Sequence, residues 1–252
     1  MTRPDPVRIA MWSGPRNVST ALLRAWESRA DTAVSDEPLY AAYLHATGKG
    51  HPMREEVLPS QPTDWHEVAD HLTGPVPGGA PIWYQKHMAH HLTPDIGREW
   101  LKGFRLAFLI REPGEMLVSL AKVIPNPTLD DTGLPQQVDL FERTADRLGT
   151  APPVLDGRDV RADPEGSLRA LCAALNVPWD AAMLRWAPGP RETDGVWGPV
   201  WYQRLYQTTG FAPPDPRDPL AEADLPARLG RVLDEARPLY ERLSGFLLAH
   251  RL

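Results

Sequence analysis

The stretch VRIAMWSGPRNVSTALLRAWESR, residues 7–29, decides how the rest of the chain is read. Its first six residues form a short, mostly apolar run that stops at Ser13-Gly14-Pro15, as a buried strand entering a turn would. Beyond the turn, Val18, Ala21, Leu22, Ala25 and Trp26 recur at helical spacing. The pattern predicts strand, loop, helix. A loop in that position faces unpaired backbone N–H groups and the positive end of a helix dipole, and both favour an anion. Arg16 adds a planar, permanently charged fork suited to phosphate or sulfate oxygens, with Ser19 and Thr20 beside it. The loop is not a Walker A loop, which needs a second glycine and a lysine that this segment lacks.

Working outward, PIWYQK (81–86) and FRLAFLI (104–110) read as strands, the second continuously apolar at its end as a central parallel strand would be. A further strand precedes SDEPLY, and PPVLDGRDV (152–160) reads as another. Helices are expected from Pro113 through PGEMLVSLAKV, over 136–148, and in DPEGSLRALCAALNV with Asp163 as cap and Pro164 in the first turn. Residues 45–80 are rich in His, Gly and Pro, with one helix through WHEVADHL, and read as a surface excursion able to cover a site. Residues 186–219 are dense in Trp, Gly and Pro, and an amphipathic helix around 222–248 follows. Alternating strands and helices predict a P-loop-type three-layer α/β fold, a central parallel sheet flanked by helices, in a single domain over 1–252.

Composition narrows the partners. At 252 residues and 42% apolar content the chain can bury a large core. A formal charge of −6 gives no electrostatic reason to expect a nucleic acid partner. Arg3 and Arg8 flank polar, proline-rich residues, and no apolar run reaches signal or membrane-spanning length, so a cytoplasmic protein without a membrane partner is expected. The one cysteine, Cys172, sits in the helical pattern LRALCAAL and reads as core filler. His87 and His91 would share a face if helical, but Thr93-Pro94 limits any helix and no HExxH glutamate is present, so no metal is expected. No motif speaks to oligomeric state, and a homo-oligomer is left open.

Residues 15–20, PRNVST, resemble the P-K/R-S-G-T-T loop of sulfotransferases that use 3′-phosphoadenosine 5′-phosphosulfate (PAPS). Pro15, Arg16, Ser19 and Thr20 fall on matching positions, while Asn17 stands where the family has Ser and Val18 where it has Gly. FLIREPGEMLVSL (108–120) resembles the family segment R-[DN]-P-x-[DE]-x-x-x-S, whose Arg and Ser bind the nucleotide 3′-phosphate, and Arg111 and Ser119 occupy those positions. Similarity to a bacterial sulfotransferase-like group continues through SDEPLY, VLDGRDVRADPEGSLRALCAAL and WYQRLYQTTGF. The C-terminal Arg-Lys-Gly segment of many eukaryotic members is missing, and Arg191 in GPRETDGVWG is the candidate for its charge.

The resemblance implies sulfuryl transfer from PAPS, without a metal, to a hydroxyl or, as a second choice, an amine of a small-metabolite acceptor. It implies cofactor contacts from Pro15, Arg16, Asn17, Val18, Ser19, Thr20, Arg111, Ser119 and Arg191. Arg16 would neutralise the leaving phosphate, helped by the N–H groups of residues 17–20, with Lys86 as a second cation. Two candidates compete for the base. His87 resembles the histidine of the family's K-T-H segment, and Glu37 resembles the carboxylate base of some bacterial sulfotransferases acting on sugars. Trp65, Trp83, Trp197, Trp201 and Tyr202 are candidates to line an acceptor pocket or stack on adenine. Two other readings keep the same fold: a P-loop-type small-molecule kinase, which would need a metal ligand, and a catalytically silent nucleotide-binding protein.

Overall fold

A computed structural model of the chain describes residues 5–213 and 225–248. Among them, β1 (Val7–Ser13), β2 (Thr32–Asp36), β3 (Ile82–Met88), β4 (Arg105–Ile110) and β5 (Val154–Asp156) form one parallel sheet in the order β2-β3-β1-β4-β5, flanked by helices. The expected α/β class with a central parallel sheet is what the structure shows. The helices, in chain order, are α1 (Ser19–Glu27), α2 (Tyr40–Thr47), α3 (Arg54–Val57), α4 (Trp65–Thr73), α5 (Pro113–Leu120) and α6 (Leu134–Leu148). They continue with α7 (Gly157–Ala162), α8 (Pro164–Ala174), α9 (Gly198–Trp201) and α10 (Gly230–Ser244). No helix among the described residues is long and apolar enough to cross a membrane.

The described chain divides into two compact units. One takes in the chain through Met11, Thr20–Arg105 and Asp180–Gly210; the other takes in Trp12–Ser19, Leu106–Trp179 and the chain from Phe211. In the first, β2 and β3 pair in register from Thr32 opposite Ile82 to Asp36 opposite Lys86. Every residue of β3 is buried, including Gln85, Lys86 and His87, so this strand carries polar side chains where a buried parallel strand normally carries none.

In the second unit, β4 is buried from Leu106 to Ile110, and Ile110 lies opposite Asp156 of β5. Buried Gln137 of α6 donates from its amide to the carbonyl oxygens of Trp12 and Leu109, at 2.9 and 3.1 Å, and so ties α6 to the ends of β1 and β4.

Several local expectations need adjustment. Only Val154–Asp156 of PPVLDGRDV is strand; the Asp156 carboxylate accepts from the Arg158 N–H at 2.7 Å, a helix cap that starts α7 at Gly157. His87 lies inside β3 rather than after it, and Ala89–His91 is a single 3-10 turn, so His87 and His91 share no helix face. The expected C-terminal helix spans only Gly230–Ser244, and residues 222–224 of that expectation fall outside the described residues. The α8 reading holds: Asp163 caps the helix through the Gly166 N–H at 2.9 Å, with Pro164 in the first turn. Cys172 is a buried free thiol.

Candidate functional site

The loop after β1 is held close to its surroundings by small residues. A Cβ on Gly14 would stand 2.8 Å from the Thr132 carbonyl oxygen, so only glycine lets the chain turn there. A Cβ on Gly157 would collide with the Asn17 side-chain oxygen. That oxygen accepts from the Val18 N–H at 2.8 Å, so one of the loop N–H groups nominated for the donor is engaged within the loop.

Arg16 sits next to Asn17 with φ of 55°, in the left-handed region that non-glycine residues seldom occupy. Its Nε donates to Ser119 Oγ of α5 at 3.0 Å, joining residues 103 positions apart. Arg111, one residue beyond β4, donates from Nη1 to the Arg16 carbonyl oxygen and pairs through Nη2 with Glu115 at 3.4 Å. The three nominated anion ligands Arg16, Arg111 and Ser119 therefore meet in one cluster. Ser19, opening α1, is 4% exposed.

Burial holds the Arg111 guanidinium below its ordinary value; Glu115 pushes back, while Arg161 adds like-charge repulsion. Glu115 is shared, because Arg158 also reaches it at 2.8 Å. Asp156 also favours the charged form, and a half-buried guanidinium just beyond a strand's end suits an anionic ligand. Glu112 takes no part in that pairing: its carboxylate caps α5 through the Gly114 and Glu115 N–H groups. Arg158 and Arg161 were not singled out from the sequence, although DGRDVR places two arginines one helical turn apart just after a strand.

The other nominated residues lie in the first unit. Glu37, directly after β2, also has a positive φ, 42°. Lys86 Nζ is 2.8 Å from Asp36 Oδ1, 2.5 Å from Glu37 Oε1 and 2.9 Å from the Tyr202 hydroxyl, which engages every donor an ammonium has. Burial pulls Lys86 down, but Asp36 and Glu37 outweigh it and hold the lysine above its ordinary value. Burial raises the Glu37 carboxyl; Lys86 counters and Asp36 adds to the rise. Lys86 is thus a structural cation of this network, not an uncommitted one.

His87 is 1% exposed, its Nε2 3.3 Å from Gln85 Oε1, and burial, with Lys86 nearby, pushes it down to about 3. A site that dry leaves the imidazole neutral and weakly basic. Arg191 is tied locally, with Nη2 on the Ala187 carbonyl at 2.8 Å and Nε 3.6 Å from Glu27. Of the aromatic candidates, Trp83 and Trp197 are fully buried; Trp83 donates to Ser35 and Trp197 to Tyr202, as core aromatics do. Among the described residues no group of three or more His, Cys, Asp or Glu is arranged to hold a metal.

Comparison with known proteins adds to this geometry. The chain is 37% identical over 245 residues to branched-chain-amino-acid aminotransferase-like protein 1 of Arabidopsis thaliana, covering 96% of this chain and 42% of that one. Branched-chain-amino-acid aminotransferase-like protein 2 of the same plant is 35% identical over 239 residues, covering 93% and 41%. The chain spans about two fifths of the length of these curated relatives. The sulfotransferase domain from the Synechococcus PCC 7002 olefin synthase superposes with a TM-score of 0.52 at 18% identity over 97% of both chains, which shows a shared fold. The family model for the sulfotransferase domain matches residues 7–245, and the chain belongs to that family.

Proposed function

We propose that the protein transfers a sulfuryl group from PAPS to a hydroxyl, or as second choice an amine, of a small metabolite. The observation that carries the reading is the Arg16–Ser119 hydrogen bond at 3.0 Å with Arg111 on the Arg16 carbonyl, which unites two motifs far apart in sequence. In this reading the 5′-phosphosulfate lies on Pro15–Thr20, with Arg16 neutralising the charge that builds on the bridging oxygen. Arg111 and Ser119 hold the 3′-phosphate, with Arg158 as an added cation. The acceptor oxygen attacks sulfur, the bond from sulfur to the bridging oxygen breaks, and the acceptor proton passes to a base. Glu37 is the assigned base because burial raises its carboxyl above the ordinary value, whereas His87 is buried and weakly basic. Arg191, already tied to Glu27 and Ala187, is given no role.

The aminotransferase-like name of the plant relatives belongs to chains more than twice as long, and nothing in the described residues favours carrying it over. Calorimetric titration with 3′-phosphoadenosine 5′-phosphate, beside ADP with magnesium, tests the proposal. Micromolar binding of the bisphosphate, weakened at least about tenfold (about 1.4 kcal/mol) in Arg16→Ala, is expected. Preference for ADP with magnesium would promote the kinase reading, and no binding of either would sink the donor assignment.

A further inference from the structure

The register of β2 and β3 sets Asp36 opposite Lys86, and Glu37 follows at the strand end. Around that pair the hydrogen bonding is saturated. The Tyr202 hydroxyl accepts from Lys86 at 2.9 Å and from Trp197 Nε1 at 2.8 Å, and its one proton faces both Asp36 Oδ2 at 2.7 Å and Glu37 Oε1 at 3.2 Å. The second Asp36 oxygen also lies 3.4 Å from the Gly195 N–H.

The Glu37 backbone is pinned on both sides: its N–H donates to the Lys86 carbonyl at 2.9 Å, and its own carbonyl accepts from Tyr40 N–H and Gln61 Nε2, each at 3.1 Å. Strain at a positive φ persists only where surroundings over-determine it, as these do. Two carboxyl groups face one ammonium. The side chains of Lys86 and Asp36 are 1% exposed and that of Glu37 is 11% exposed, so Glu37 is the ionisable member that reaches solvent.

We propose that Lys86, Asp36 and Tyr202 are positioning residues that fix the Glu37 carboxylate and govern its proton affinity, with Lys86 acting on the base and not on the donor. The inference rests on Glu37 being the base of the proposed transfer. The groups facing Glu37 are Lys86 from β3, Asp36 from β2, Tyr202 after α9 and Tyr40 from α2, whose hydroxyl burial and the Glu37 charge hold protonated. Lys86 favours the charged carboxylate, Asp36 opposes it, and removing them acts in opposite directions.

Carbon-13 NMR titration of the whole chain labelled at the glutamate carboxyls tests this, with Glu37→Gln identifying the resonance. In the wild type, Glu37 is expected to titrate above the ordinary glutamate value of about 4.3. Asp36→Asn is expected to lower its midpoint and Lys86→Met to raise it, each by about one pH unit, the scale of a close charge pair. Affinity for 3′-phosphoadenosine 5′-phosphate is expected to stay within about twofold in Lys86→Met.

An ordinary Glu37 midpoint, shifts of the same sign in both variants, or a tenfold loss of nucleotide affinity in Lys86→Met would overturn the proposal. If Lys86→Met does not fold, the wild-type midpoint and the Asp36→Asn shift decide it. The titration needs no nucleotide, so failure of the donor assignment and failure of this network give separate results.

Discussion

Arg16 and Glu37 are both in the left-handed region, at φ of 55° and 42°, and both belong to the candidate chemistry. Such positions cost of order 1–3 kcal/mol unless glycine occupies them, so strain is stored where function is proposed. Arg16→Gly and Arg16→Ala are expected to lose nucleotide affinity alike, but chemical denaturation is expected to show the glycine variant more stable by about 1 kcal/mol. Equal stabilities would mean the loop relaxes when the side chain is removed. At the same scale, Gly157→Ala drives a methyl into the Asn17 side chain and is expected to cost about 1–3 kcal/mol and weaken nucleotide binding. Residue type and the strand–loop–helix pattern nominated Arg16, and the resemblance to a family segment nominated Arg111 and Ser119. The commitment of Lys86 to Asp36 was not legible, because it depends on a β2–β3 register that no short-range pattern encodes.

Elements were legible where a cap or a period announced them. Asp163-Pro164 marked α8, and Asp163→Ala is expected to cost about 1 kcal/mol by removing the acceptor of the Gly166 N–H, as thermal or chemical unfolding would measure. VLDGRDV was read as all strand because its apolar residues outlast β5; the Asp156 cap, a side-chain bond to the Arg158 N–H, turns the chain into α7. Neither Arg158 nor Arg161 was nominated for the same reason. The role of Gln137 was invisible, since its two carbonyl partners lie 125 and 28 residues away. Gln137→Leu removes the amide donor from both, leaving Leu109 the 3.4 Å contact from Asn17 Nδ2, and is expected to destabilise by about 1–3 kcal/mol, more than a surface Gln substitution would.

For the whole molecule, the buried titrating groups make stability depend on pH. His87, held at about 3 against an ordinary 6.5, contributes stability that is present above about 6.5 and lost as pH falls toward 3. His91, pushed well down by burial and by neighbouring histidines, acts in the same direction. Glu37 runs the other way: its raised folded value gives stability at low pH that is lost as pH rises through that value. The two histidines, opposed by Glu37 and by Asp156, whose carboxyl burial also raises, are expected to weaken the fold on acidification below about pH 6, at up to about 1.4 kcal/mol per pH unit for each histidine. Urea unfolding between pH 7.5 and 5 measures this, and a flat profile would mean the histidines are solvated. The fold class was readable because a parallel sheet leaves local signals; the burial of Glu37, Lys86 and His87 was not, because it depends on packing between distant segments.

The central claim is that the cluster of Arg16, Ser119 and Arg111 reads a nucleotide with a 3′-phosphate. Calorimetric comparison of 3′-phosphoadenosine 5′-phosphate with adenosine 5′-phosphate, in wild type and Arg111→Ala, tests it most directly. The account predicts at least about tenfold preference for the bisphosphate in wild type, and in Arg111→Ala a loss of that preference with the monophosphate affinity little changed. Equal affinities in wild type, or a preference that survives Arg111→Ala, would contradict it.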